Sequence, residues 1–128
     1  MTIVLDSGGL SMLAGNRARL AELRRRGEWP AVVPAVVLTE ALTGDHRRDF
    51  HENRLLHTCD IRTVDELMAR EAAALRFKAA TDTRPSAVDA LVAATADVLG
   101  GATVLTGDVG DLRALAQHAT NDVVISQV

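Results

Sequence analysis

Short β-branched runs alternate with longer Ala-, Leu- and Arg-rich segments along the whole chain, and the change in hydrophobic period between them predicts the elements. TIVL, residues 2–5, reads as a buried strand. SGGLSMLAG then reads as a helix and NRARLAELRRRG as a second, with Asn16 able to cap it and Gly27 able to stop it. AVV, residues 31–33, is a second strand, after which Pro34 is expected to open a helix through VVLTEAL, because proline is tolerated in a first turn. Residues 43–57 read as a strongly charged helix. CDIRTV holds a short strand, and Thr63 stands at capping-box spacing from Glu66, at the head of a long helix reaching Lys78. Pro85 and Ser86 open PSAVDALVAATADVLG, a helix that Gly100 and Gly101 close. ATVLT, residues 102–106, is a strand, GDLRALAQHA a helix and DVVISQ a last strand.

Strands alternating with helices predict an α/β fold: a mainly parallel central sheet with helices on both faces. At 128 residues, with no repeat, low-complexity tract or linker, the chain is expected to be a single domain over residues 1–128. Ligands of such sheets bind beyond the carboxyl ends of the strands.

Composition narrows the partners. The formal charge is −3, so no global positive field recruits a polyanion and any nucleic acid must be met locally. Of the 14 cationic residues only Lys78 is lysine, and the planar fork of arginine suits carboxylate or phosphate. Cys59 stands alone, which excludes an internal disulfide and a Cys-rich zinc site and points to a reducing compartment, the cytoplasm. MTIVLDSGG carries no signal-peptide pattern, and no run of about 18 apolar residues could span a membrane. Trp29, Phe50 and Phe77 are the only aromatics, too few for a base-stacking platform.

The acids are more informative. Asp6 directly follows the first strand and Asp108 follows ATVLT by one glycine, so two distant acids share the carboxyl edge of the sheet. Each alone could begin a loop or cap a helix. Glu40 lies within the apolar VVLTEAL, where a lone Glu is ordinarily the solvent-facing residue. Asp89 is three residues past Ser86, which allows it a capping-box role at the positive end of a helix dipole. It lies at the margin of a core stripe of Val88, Leu91, Val92, Thr95 and Leu99, with Ala93 and Ala96 beside it leaving room for something to approach; Asp97 falls on the outer side and reads as solvated. Four acids meeting in one crevice would repel one another without a cation. Oxygen ligands alone fit Mg²⁺ or Mn²⁺, which can activate water and offset charge on a leaving oxygen, the requirements of phosphodiester hydrolysis.

IVLDSGGL, VVPAVVLTEAL, AVDALVAATA and TVLTGDVGDLRALA, in this order and spacing, resemble the PIN-domain nucleases and most closely the VapC-type toxins of toxin-antitoxin pairs. The resemblance runs from residue 3 to residue 116 and implies a PIN-like three-layer α/β/α sandwich. It implies that Asp6, Glu40, Asp89 and Asp108 form a catalytic acidic cluster, with Asp6, Asp89 and Asp108 as ligands of Mg²⁺ or Mn²⁺ and Glu40 as a partner of the attacking water. Ser7 and Thr106 would orient carboxylates, and Asp111 would extend the cluster or serve a helix N-terminus. It implies RNA as substrate, a cognate antitoxin and a homodimer. Gly8-Gly9 departs from the family's pattern and is expected to loosen the first helix, since glycine costs up to ~1 kcal/mol per helical site.

Two other interpretations share these residues. One is a catalytically silent PIN fold used as a binding module. The other is a phospho-acceptor receiver domain, which needs a lysine near its last strands, whereas Lys78 lies in a long helix. His46, His51 and His57 lack the spacing of a zinc pair, and no serine has a nucleophile-elbow context. The arginines of residues 17–26 read as the solvated face of an amphipathic helix or as a contact for RNA phosphates. Arg47, Arg48 and Arg54, interleaved with Asp45, Asp49 and Glu52, read as surface ion pairs.

Overall fold

The computed structural model describes residues 1–128. Five strands, β1 (Ile3–Leu5), β2 (Val32–Pro34), β3 (Asp60–Arg62), β4 (Ala102–Thr106) and β5 (Val123–Gln127), form one sheet in the order β3-β2-β1-β4-β5. Every neighbouring pair is parallel. Ile3, Val4 and Leu5 are all buried, as a central strand covered on both faces requires.

Seven helices cover the sheet: α1 (Ser7–Ala14), α2 (Arg17–Arg25), α3 (Val37–Ala41), α4 (Phe50–Leu56), α5 (Glu66–Ala79), α6 (Ala87–Val98) and α7 (Gly110–Ala116). α1 lies against β1 and β4 with α2, α3 and α4 around it, while α6 meets β1, β2, β4 and β5 and carries α5 and α7. The result is the expected α/β/α sandwich. Asn16 caps α2 by accepting from Arg19 N–H, and Ser86 caps α6 by accepting from Asp89 N–H. Gly27 and Gly100, at φ 73° and 85°, end the same two helices in the left-handed conformation open to glycine.

α6 is buried almost all round, and this corrects two expectations. Val92 and Ala96 belong to the main core, whereas Ala90, Ala93 and Ala94 pack with Met68, Ala72, Leu75 and Ala79 of α5 in a second one. Ala93 and Ala96 therefore leave no room for a ligand; they let neighbouring elements close on the helix. Asp97 is buried rather than solvated, because its carboxylate accepts from the Thr120 and Asn121 backbone N–H groups at 3.0 and 2.8 Å and from the Asn121 amide at 3.0 Å. It ties the end of α6 to the loop entering β5.

Three boundaries also differ. Pro34 ends β2 instead of opening a helix: it pairs with Arg62 beyond the Val4–Val32 rung, where its missing N–H removes no bond to β1. Residues 43–49 are not helical, because the buried Asp49 carboxylate gathers Thr43 N–H, Thr43 Oγ1 and Gly44 N–H, and Asp45 accepts from Arg47 N–H. Thr63 does not cap α5; Asp65 does, accepting from Met68 N–H at 2.9 Å.

Candidate functional site

The carboxyl edge of the sheet gathers the predicted acids. Leu5 of β1 pairs with Leu105 of β4, so Asp6 leaves its strand beside Thr106. Asp6 is buried and is the N-cap of α1, with Oδ1 accepting from Gly9 N–H at 2.7 Å and Oδ2 accepting a short bond from Thr106 Oγ1. The Thr106 hydroxyl is fully buried and in turn accepts from Asp108 N–H at 3.1 Å. One hydroxyl thus links the Asp6 carboxylate to the backbone that carries Asp108. Asp108 itself is exposed, and its Oδ1 accepts from Gly110 N–H at 3.1 Å.

Asp89 enters the crevice from the first turn of α6 and is half-buried. Its carboxyl is pushed above the usual range, first by burial and then by repulsion from Asp6, Asp111 and Glu40, against the lowering effect of the Ser86 hydroxyl. The capping box is one-sided: Ser86 Oγ accepts from Asp89 N–H at 3.0 Å, and no bond returns from the carboxylate to Ser86 N–H. Beyond the Ser86 hydroxyl, the cap supplies no donor to the carboxylate. Glu40 is exposed on α3, and Asp111 is exposed in the first turn of α7. The Asp111 side chain caps nothing there, and its nearness to Asp89 is its one polar relationship. The Ser7 hydroxyl makes no hydrogen bond to any carboxylate.

Asp6, Glu40, Asp89 and Asp111 thus stand close enough to repel, although no three of the acids are drawn together tightly enough to hold one ion between them as they stand. The donor chemistry still fits a hard divalent cation. Oxygen donors line the crevice, and a cation would offset both the burial and the repulsion that penalise the Asp89 carboxylate.

Gly8 and Gly9, expected only to loosen α1, also have a steric role. A Cβ on Gly9 would stand 2.1 Å from Leu105 O, and one on Gly8 would stand 3.0 Å from Gly107 N. The pair lets α1 seat against the exit of β4. Leu10 and Leu13 of α1 are fully buried, each contributing about 1.5–3 kcal/mol, which outweighs the ~1 kcal/mol that a helical glycine costs. No local pattern in the sequence marks that close approach.

A second concave surface lies at the far end of α1. It is a groove of about 690 Å³ with Leu13, Leu20 and Leu55 in its lining and Arg17, Arg24 and Arg54 around them. None of these three arginines makes an ion pair, so the pairing expected for Arg54 is absent. Asp45 and Asp49, its expected neighbours, are occupied with backbone N–H groups.

The PIN domain family model matches residues 3–117. No protein of curated function matches the sequence. Among solved structures, the chain is similar to VapBC2 from Rickettsia felis bound to a DNA fragment from its promoter, at 13% identity and a TM-score of 0.73, covering 99% of this chain and 98% of that one. It is similar to DNA-bound VapBC from Salmonella typhimurium, at 15% identity and a TM-score of 0.71, covering 99% and 98%. It is also similar to FitAcB from Neisseria gonorrhoeae, at 23% identity and a TM-score of 0.65, covering 95% and 96%. A family match across nearly the whole length, on a parallel sheet whose carboxyl edge collects these acids, identifies the chain as a member of the PIN domain family.

Proposed function

We propose that the protein is a metal-dependent endoribonuclease that acts as the toxin of a toxin-antitoxin pair. The observation that carries this is the bonded pair at the carboxyl edge, where Thr106 joins the Asp6 carboxylate to the backbone of Asp108, with the charges of Asp6, Glu40 and Asp111 felt at Asp89. Membership of the PIN family replaces the phospho-acceptor alternative, and Lys78 lies on α5, far in sequence from the strands such a domain would need it to follow.

Asp6, Asp89 and Asp108 would hold Mg²⁺ or Mn²⁺, which when bound supplies Lewis acidity toward water and the phosphate oxygens. The chain's own groups do the rest. Thr106 and Gly9 N–H fix the Asp6 carboxylate through one bond to each oxygen, so its remaining lone pairs have a set direction. Glu40, exposed on α3, would serve as the partner of metal-bound water and accept its proton, and Asp111 would add negative charge that favours cation entry. Ser7, the first residue of α1 after Asp6, would be a further hydroxyl able to orient a carboxylate once a cation is bound.

A further solved structure of this fold is a toxin-antitoxin complex from Klebsiella pneumoniae, and an antitoxin partner is proposed for this chain. The groove beside α2 supports it: unpaired arginines over leucines suit an amphipathic segment carrying acids. A homodimer and a cytoplasmic site of action complete the proposal; no helix is long and apolar enough to cross a membrane.

The test is incubation of purified protein with total RNA and Mn²⁺, with and without chelator, beside Asp6→Asn and Asp89→Asn. Chelator-sensitive cleavage that both variants lose is expected. Cleavage by the variants at the wild-type rate would reject the mechanism, and absence of Mn²⁺ binding in calorimetry would instead favour a silent binding module.

A further inference from the structure

Gly8 and Gly9 lie between the two acid-bearing strand ends. In the first turn of α1 a Cβ at position 9 would meet Leu105 O at 2.1 Å and Leu105 C at 2.8 Å, and one at position 8 would meet Gly107 N at 3.0 Å and Gly107 Cα at 3.4 Å. Leu105 and Gly107 flank Thr106, the residue that bonds Asp6 and receives Asp108 N–H. Neither glycine has a positive φ, so space, not backbone freedom, is what the positions require. Gly9 has a second, separate part in the site, because its N–H donates to Asp6 Oδ1 at 2.7 Å.

We propose that the Gly8-Gly9 pair is the spacer that sets the separation of the Asp6 and Asp108 strand ends, and that Gly9 is a positioning residue for the Asp6 carboxylate. Any side chain at position 9 must drive α1 and β4 apart by about 1 Å to reach ordinary contact, a displacement on the scale that costs roughly 100-fold where groups must be held in register. The movement pulls Asp6 Oδ2 from Thr106 while Oδ1 follows Gly9, so the carboxylate turns. Gly15 provides the contrast: it follows the same helix, and its Cβ would meet only Met12 O, at 3.8 Å.

The functional consequence rests on the metal-site proposal, and the test separates the two. Mn²⁺ alone is titrated by calorimetry into wild-type protein and into Gly8→Ala, Gly9→Ala and Gly15→Ala, with thermal midpoints measured in parallel. Gly9→Ala is expected to weaken Mn²⁺ binding at least ~10-fold, the scale of lost outer-shell support, and Gly8→Ala by a few-fold with its midpoint little changed. Gly15→Ala should bind within twofold of wild type. Should Gly9→Ala not fold, Gly8→Ala carries the comparison. Wild-type affinity in every folded position-8 and position-9 variant overturns the proposal.

If the wild-type protein binds no Mn²⁺, the metal proposal fails, and amide exchange in the metal-free protein decides the positioning claim. Gly8→Ala should speed exchange at the residue 9 and Asp108 amides, whose acceptors are Asp6 Oδ1 and Thr106 Oγ1, but not at Arg19, whose acceptor is Asn16. Unchanged exchange at residues 9 and 108 overturns it.

Discussion

Thr106 Oγ1 donates to Asp6 Oδ2 across 100 residues of sequence, because the Leu5–Leu105 rung makes these two the next neighbours on adjacent parallel strands. The bond fixes the second oxygen of an acid whose first is already held by Gly9 N–H. Thr106→Val keeps the shape and removes the donor, and is expected to weaken Mn²⁺ binding about 10- to 100-fold, as loss of an orienting partner does elsewhere. Thr106→Ser should restore most of it. Calorimetry on the two variants checks this, and a valine variant with unchanged affinity would show that the hydroxyl is dispensable.

Asp89→Asn is expected to abolish cleavage and yet not destabilise the protein at neutral pH. Burial and the neighbouring acids raise the Asp89 pKa above the ordinary aspartate value of 3.8, so the ionised form is disfavoured by folding. That penalty is fully present above the folded-state pKa and fades as pH falls toward 3.8. Without metal, the thermal midpoint of Asp89→Asn should therefore meet or exceed that of wild type at pH 7, and the difference should shrink toward pH 4. A clear loss of stability at pH 7 would mean that the carboxylate acts chiefly as a helix cap.

Asp97→Ala should cost about 1–3 kcal/mol in urea unfolding, because the Thr120 and Asn121 N–H groups lose their acceptor in a partly buried loop. Mn²⁺ affinity should stay as in wild type. This acid looks like a site residue by burial alone, and an effect on metal binding without one on stability would return it to the crevice.

Asp49 has its pKa lowered, first by the Thr43 backbone N–H and then, against burial, by the Thr43 hydroxyl and Gly44 N–H. Its contribution is complete above 3.8 and lost as pH falls through the lower folded value. The loop over residues 43–49 should open only in strong acid, read by exchange of the Thr43 and Gly44 amides. Asp49→Asn should open it at neutral pH.

Hydrophobic period located every strand and most helices, since β4 and the caps at Asn16 and Ser86 depend on local residues alone. It failed where a side chain reached out of its own segment. Asp49 pulled residues 43–49 out of a helical pattern, and Asp97 found its partners 23 and 24 residues away. Asp6 and Asp108 could be placed at the carboxyl edge because strand ends are legible, whereas Asp89, on a helix, joined them only through the family resemblance. What Thr106 does with its one hydroxyl, and what two glycines permit, depends on the distance between β4 and α1, which no local pattern carries.

α6 is shared by both cores, and Asp89 rides on it, while Asp6 and Thr106 stand on the two strands at the middle of the sheet. Loosening any one of these supports means opening much of the molecule, at close to the full cost of unfolding. Asp6 and Asp89 are therefore as hard to displace as the two cores behind them, while Glu40, Asp108 and Asp111 stay exposed to solvent.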